Sequence, residues 1–470
     1  MLSLALLAVS SLTAIHAQSL SVVEGVWDRG SVNEIKLFEV KNGGLTEVAS
    51  SKVGENGVFT FAFYPEQEGF YSIAQGPGIL KNRYSFYFKP GDHLAVKITP
   101  TGYELMGERN TPENKEMARW QEFVEPLDSK IFTYTPDDVL STYVDFFPLL
   151  EEKEKALASY PENRTPNARF NGIFPRYKEV DFMNRAIAYI FMPRTAHPQG
   201  EDYPDYYRSF DLKDLGKDNF MLTYPGGLNL YKQVPMILLM SDFEMTPDEK
   251  AQIMQQGQET MLLGNDELAA AIDPTLRGEL AVSFAQNKKT LEAFDLYASK
   301  YEKFLYTDAQ KKAWNDIRIP LIKNDAGSPA TDFTFTDVKG NKISLSDFKG
   351  KVVYVDVWAT WCGPCKAQIP YLKKLEEEYK DNQNMVFIGV SVDKEADKQK
   401  WEDFLEAEKL PGIQIFAGDA SNDGIMRPYK ISGIPRFILV GKDGNLIYAD
   451  APRPSAEEEI RAVLNNALSK

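Results

Sequence analysis

The sequence predicts a multidomain α+β protein. It has an N-terminal antiparallel β-sandwich, a helical middle region and a C-terminal α/β domain. Three observations carry this expectation. Apolar residues alternate with polar ones from about residue 20 to 105. They recur at three- and four-residue spacing from about 110 to 320. Beyond that, continuous apolar runs alternate with helical patterns, the mark of a sheet covered on both faces. A chain of 470 residues also exceeds one ordinary core. The expected boundaries are 1–17 for an apolar leader, 18–107 for the sandwich, 108–322 for the helical region and 323–470 for the α/β domain.

The leader, "MLSLALLAVSSLTAIHAQ", is apolar and ends in small residues before Gln18. It is short for a membrane span and matches a secretory signal peptide cleaved after Ala17. No Lys or Arg precedes it, since the first charge is Glu24. Export to the cell envelope, in the periplasm, is the expectation. No cysteine lies near the cleavage point, so a lipid anchor is not indicated.

In the β region, "GVFTFAFY" places Phe59, Phe61 and Phe63 on one face. "RYSFYFKPGDHLAVKI" reads as two strands around Pro90-Gly91-Asp92. "EIKLFEVKNGGLTEVAS" reads as a hairpin at Gly43-Gly44. In the middle region, "PENKEMARWQEFVEPL", "VDFFPLLEEKEKALASY", "PRYKEVDFMNRAIAYIF" and "ELAVSFAQNKKTLEAFDLYASKYEKF" carry helical spacing. Thr246-Pro247-Asp248 is a helix start with proline just inside the cap. "TYPGGLNLYKQVP" reads as a loop, and the aromatics of "DYPDYYRSF" as packing residues. "KNDAGSPATDF", 323–333, reads as a linker. After it come a hairpin ("FTFTDVKGNKISL"), a buried strand ("KVVYVDVWA"), a helix ("KAQIPYLKKLEEEYKDN") and a second strand ("MVFIGVSVD"). A polar helix ("ADKQKWEDFLEAEKL"), a strand pair around Lys442-Asp443-Gly444-Asn445 and a last helix ("SAEEEIRAVLNNAL") complete a mixed sheet.

Composition removes several functions. Net charge is −15, which argues against nucleic acid and anionic membrane surfaces as partners. Only His16, His93 and His197 are present, so histidine metal sites and Ser-His-Asp triads are not expected. No phosphate-binding GxxxxGK[ST] loop occurs. No cofactor is expected beyond a redox-active disulfide. Oligomeric state is not legible here.

The chain has two cysteines, Cys362 and Cys365, both inside "VWATWCGPCK". The pair follows a buried strand and opens a helix. Backbone N–H groups are unpaired there and the dipole end is positive, so a thiolate is stabilised and its pKa falls from about 8.5 toward 7. Cys362, the first, is expected to be the exposed nucleophile, and Cys365 the resolving thiol one turn on. Gly363 avoids crowding, and Pro364 suits the first helical turn. Thiol–disulfide exchange is the expected chemistry. Asp356, six residues earlier on the apolar strand, would have a raised pKa if buried and could take the proton of Cys365. A zinc half-site lacks further ligands. An inert staple at this spacing closes almost no loop and would stabilise little.

With "DVW" upstream and "GIPRF" some seventy residues later, "WATWCGPCK" resembles the thioredoxin superfamily. The run "FKGKVV" from Phe348 to Val353, after "SLSD", resembles its TlpA/ResA-like branch of envelope thiol–disulfide oxidoreductases. The resemblance covers about residues 325–470. It implies a thioredoxin-like fold there, and a cis-proline loop at Ile434-Pro435 that pairs with an extended client strand. Trp361 and Trp358 match the family's tryptophans, and Asp356 its buried acid. Lys366 closes the motif. Gly389 stands where thioredoxins proper often carry a lysine. Arg436 follows the proline where threonine is common, which implies a more basic substrate groove. Gly363-Pro364 is the dipeptide of reducing members, so a reductase of client disulfides, recharged by a membrane thiol donor, is implied. The segment 18–322 resembles, in texture and order, an accessory segment found before such domains in Gram-negative envelope proteins.

Two other functions compete. One is a peroxiredoxin-like antioxidant peroxidase. Its motif wants a threonine three residues before the cysteine and a proline further upstream, where this chain has Ala359 and Val355. The other is a binding or scaffold protein that carries the redox module as a passenger.

Overall fold

A computed structural model of the chain describes residues 19–76, 83–132, 142–162, 164–193 and 196–469. The expected signal peptide, 1–17, lies outside the described residues. The chain divides into two compact units, one ending at Ala281 and the other beginning at Val282.

Among the described residues the first unit opens with eight strands: β1 (Ser21–Trp27), β2 (Glu34–Lys41), β3 (Gly44–Lys52), β4 (Val58–Phe63), β5 (Gly69–Ala74), β6 (Tyr84–Phe88), β7 (His93–Ile98) and β8 (Tyr103–Leu105). They form two four-stranded sheets, ordered β4-β1-β7-β8 and β3-β2-β5-β6. Alternation drives the packing. Phe59, Phe61 and Phe63 share one buried face and meet Leu37, Ile73 and Phe86 of the other sheet in a common core. The second sheet is antiparallel throughout. In the first, β1 and β7 run parallel. The Pro90-Gly91-Asp92 turn carries the chain from one sheet to the other instead of closing a hairpin, so β6 and β7 do not pair. Gly91 takes φ +89° there. The buried Ser21 hydroxyl accepts from the N–H groups of Gly91 and Asp92, both at 3.1 Å.

Among the described residues ten helices follow, the last extending past Ala281: α1 (Pro112–Phe132), α2 (Tyr143–Leu157), α3 (Ala168–Phe191), α4 (Asp205–Arg208), α5 (Leu212–Gly216), α6 (Phe220–Thr223), α7 (Gly227–Ser241), α8 (Pro247–Leu263), α9 (Asp266–Ala271) and α10 (Pro274–Ala285). The cap expected at Thr246 is present, with its hydroxyl accepting from Glu249 N–H. Tyr203 and Tyr207 are buried, as packing residues should be. "TYPGGLNLYKQVP" needs correction, since most of it is the start of α7. Leu230, Tyr231, Val234 and Ile237 bury at helical spacing, and Pro235 is accommodated inside the helix. Gly226-Gly227 marks its beginning, with Gly226 at φ +79°. The long pattern from Glu279 to Phe304 likewise breaks into α10 and α11 (Leu291–Tyr301), because Thr290 caps a new helix.

The second unit contains α11, α12 (Asp308–Lys323) and a seven-stranded mixed sheet. The strands are β9 (Thr334–Asp337), β10 (Lys342–Ser344), β11 (Val352–Trp358), β12 (Met385–Ser391), β13 (Ile413–Phe416), β14 (Arg436–Val440) and β15 (Leu446–Tyr448). Their order is β10-β9-β13-β12-β11-β14-β15. The central strands β11, β12 and β13 are parallel, and β14 is antiparallel to β11. Apolar clusters cover both faces. Helices α13 (Gly363–Lys366), α14 (Ile369–Tyr379), α15 (Lys398–Glu408) and α16 (Glu457–Ser469) complete the unit. The four-residue β13 is absent from the sequence reading, because "IQIF" is too short for a periodicity to register. The expected linker is anchored: Gly327 N–H donates to Leu446 at 2.7 Å, and Asn324 Nδ2 to Pro428 at 2.8 Å.

Candidate active site

The site forms where β11 ends, and every residue of that strand is buried. Val353, Val355 and Val357 face one core, and Val352 and Tyr354 the other. By the same period of two, Asp356 and Trp358 fall on the second face. Trp358 there joins a small cluster with Ala359, Cys362, Cys365, Trp401 and Phe416.

The loop after Trp358 is clamped by Asp393. Thr360 donates to its carboxylate through N–H at 2.9 Å and hydroxyl at 2.7 Å, and Ser391 hydroxyl adds a third bond at 2.7 Å. All three residues are buried. Asp393 ends the apolar run "MVFIGVSVD" and is not among the site residues expected from the sequence. An acid closing an apolar strand was the available signal.

Cys362 caps α13, and its sulfur accepts the Cys365 N–H at 3.1 Å. Pro364 lies in the first turn. The two sulfurs are joined in a disulfide, with Cα atoms 5.2 Å apart. The helix expected to run on from the cysteines is interrupted before α14, which carries Pro370 in its first turn. Since α13 has only four residues, the local N–H matters more to a Cys362 thiolate than any long-helix dipole. The expected exposure of Cys362 is corrected: it is 3% exposed, the same as Cys365. The bonded sulfurs are folded into the apolar cluster, where Ile434 also packs. The exposed group is Trp361, at 62%. Gly363, Pro364 and Lys366 are exposed as well.

Asp356 is buried, and its Oδ1 has no hydrogen-bond partner among the described residues. Burial pushes its carboxyl up to about 8, because the charged form loses its water. In register beside it lies Gly389, and beside that Gln414. The Gln414 amide occupies the space a side chain at Gly389 would need, since a Cβ there would sit 2.2 Å from Gln414 Oε1. An uncharged amide therefore stands in the region where a lysine is common. A second carboxyl, Glu376 of α14, is buried too. Burial and the neighbouring charge of Asp356 both push it up. The sequence reading missed Glu376 because its helix pattern looks solvent-facing ("LEEEY").

Ile434–Pro435 is a cis peptide. Arg436 opens β14 opposite Val357, and its guanidinium pairs with Asp450 at 3.0 Å. The fold thus gathers Cys362, Cys365, Trp358 and Ile434 into one cluster. Asp356 sits two residues along the strand from it, and Arg436 is held by an acid.

Residues 325–464 match the Redoxin family model. Thiol-disulfide oxidoreductase ResA of Bacillus thuringiensis subsp. konkukian is 33% identical over 126 residues, which are 27% of this chain and 69% of that protein. ResA of Geobacillus kaustophilus is 34% identical over 123 residues, 26% of this chain and 66% of that one. Among solved structures, the thioredoxin domain of a thiol-disulfide oxidoreductase from Bacteroides vulgatus is 32% identical. It covers 30% of this chain and 96% of its own, with a TM-score of 0.27.

Proposed function

Because this chain belongs to the ResA-like thiol–disulfide oxidoreductases of the thioredoxin superfamily, we propose that it reduces disulfides in client proteins through Cys362 and Cys365. The observation that carries this reading is the disulfide between the two cysteines, set at a helix start with the Cys365 N–H on the Cys362 sulfur.

In the reduced enzyme, Cys362 thiolate attacks one sulfur of the client disulfide. A mixed disulfide forms and the client's other sulfur leaves as thiolate. Cys365 then gives up its proton, with Asp356 as acceptor directly or through water. Its thiolate attacks the Cys362 sulfur and expels the second client thiolate. Two electrons pass to the client, and the enzyme is left as the Cys362–Cys365 disulfide. A membrane dithiol donor returns the two electrons. The Ile434-Pro435 loop and the exposed Trp361 flank the client chain, and no further cofactor enters the cycle. The apolar residues 1–17 support a periplasmic, envelope location.

The test is Cys365→Ser. Without the resolving thiol, mixed disulfides on Cys362 accumulate and are read by mass on non-reducing separation. The proposal fails if cells yield no such adducts. Insulin reduction compared with peroxide consumption by the purified protein separates this reading from a peroxidase. Full rescue of a deletion strain by the Cys362→Ser, Cys365→Ser variant would instead indicate a scaffold.

A further inference from the structure

Within the second unit a groove of about 750 Å³ opens beside the cis-proline loop. It is assembled from distant stretches: the turn and first residues leading into α11, the end of α12, the β15 edge and the segment 426–432. Ser432 and Arg436 line it, and they flank the cis Ile434–Pro435 bond. The groove is therefore continuous with the loop beside which a client chain is proposed to lie. Its volume is that of a site able to enclose a short stretch of chain, within the usual range of about 300–1,000 Å³ for ligand pockets.

Its chemistry is two-sided. Leu321, Met426, Ile431 and Ile447 supply apolar surface. The charges have a basic excess, with five lysines and arginines against three acids. Arg436 is matched by Asp450 at 3.0 Å, and Arg427 by Asp423 at 2.7 Å. Glu292 and Asp325 are the other two acids of the lining, and Lys288 lies over the Tyr297 ring, 4.7 Å from its centroid, which leaves Lys289 and Lys430. Neither pairs with a carboxylate among the described residues; Lys430 Nζ reaches only the Ile317 carbonyl, at 3.2 Å. The two are close enough to repel, and burial together with Lys289 holds the Lys430 ammonium below its ordinary range. With Glu292 and Asp325 included, the lining still keeps a basic excess beside its apolar residues, on a chain of net charge −15. Such a surface is complementary to a carboxylate-bearing chain with apolar residues between its charges. A small inorganic anion would leave the apolar floor in water.

We propose that this groove receives an acidic stretch of the client polypeptide next to its disulfide, so that acidic clients are reduced in preference to basic ones. This rests on the thiol–disulfide reading of Cys362 and Cys365.

The experiment uses the full chain, reduced and freed of reductant, in single-turnover assays on three substrates. Two are peptides with the same disulfide, flanked by Asp and Glu in one and by Lys in the other. The third is a small aromatic disulfide. The wild type is expected to reduce the acidic peptide with about 5-fold higher kcat/KM than the basic one, the upper range for an exposed charge pair. Salt at about 0.5 M should erase this advantage by screening. Lys289→Glu, an exposed position whose fold is checked by circular dichroism, should abolish or invert the preference. Lys289→Gln should fall between. Equal kcat/KM on the two peptides, or a preference that survives both salt and Lys289→Glu, overturns the proposal while leaving the redox reading intact. Failure to reduce even the small disulfide overturns the redox reading, and the groove's role with it.

Discussion

Asp356 is the residue whose environment most constrains behaviour. Its carboxyl is raised to about 8 by burial, against about 3.9 in an unfolded chain. The folded state therefore binds this proton more tightly than the unfolded state. Its contribution to stability is fully present below about pH 4 and is lost as pH rises toward 8. Asp356→Asn should remove that loss. Urea unfolding at pH 5 and pH 9 is expected to show a smaller decline in the variant, by more than about 1 kcal/mol. The same group acts as a base only when ionised. Resolution of the mixed disulfide by Cys365 should therefore quicken as pH rises through 8, and Asp356→Asn should slow it by about 100-fold. A flat pH–rate profile in the wild type, followed by quenching, would remove Asp356 from the mechanism. Asp393 plays a different part. It accepts three bonds from Thr360 and Ser391 in a fully buried place. Asp393→Ala leaves those donors unpaired and should cost about 3 kcal/mol. That loss would appear as a lowered denaturant midpoint at unchanged slope.

At the scale of elements, the short α13 and the strand β12 set the site's character. Gly389 of β12 is bare, so the Gln414 amide of β13 fills the space next to Asp356. Gly389→Lys would force that amide aside and place a cation by Asp356. Its carboxyl should then titrate well below 8, which difference titration against Asp356→Asn would read. An unchanged Asp356 titration would mean that the lysine has found another place. Elements also mark where local pattern reading succeeds. The β1, β4 and β7 strands alternate cleanly because one face is buried. The start of α7 was not legible because Gly226-Gly227 and Pro235 look like loop residues. Burial of Leu230, Val234 and Ile237 against neighbours outweighs those local signals. In β13, four residues are a strand only because β12 and β9 flank them.

For the whole molecule, the division at Ala281 and Val282 places α11 and α12 in the same unit as the redox site. A fragment spanning 282–470 should fold cooperatively and reduce insulin. A fragment of 324–470, lacking those helices, should lose the preference for acidic peptides, as a kcat/KM ratio near one would show. The cis-proline at Ile434-Pro435 was implied only by family resemblance, whereas the amino-acid sequence by itself determined the redox pair, the order of β, helical and α/β regions and the Asp356 candidate. Each of these is a short-range pattern: two thiols three apart, a period of two or of 3.6, one acid on an apolar strand. Only the tertiary structure decided that Cys362 is enclosed, that Asp393 clamps the loop, that Glu376 lies within electrostatic reach of Asp356 and that a basic groove adjoins Pro435. These depend on residues tens to more than a hundred positions apart. Burial and charge neighbourhood are properties of packing, and no local spacing encodes them.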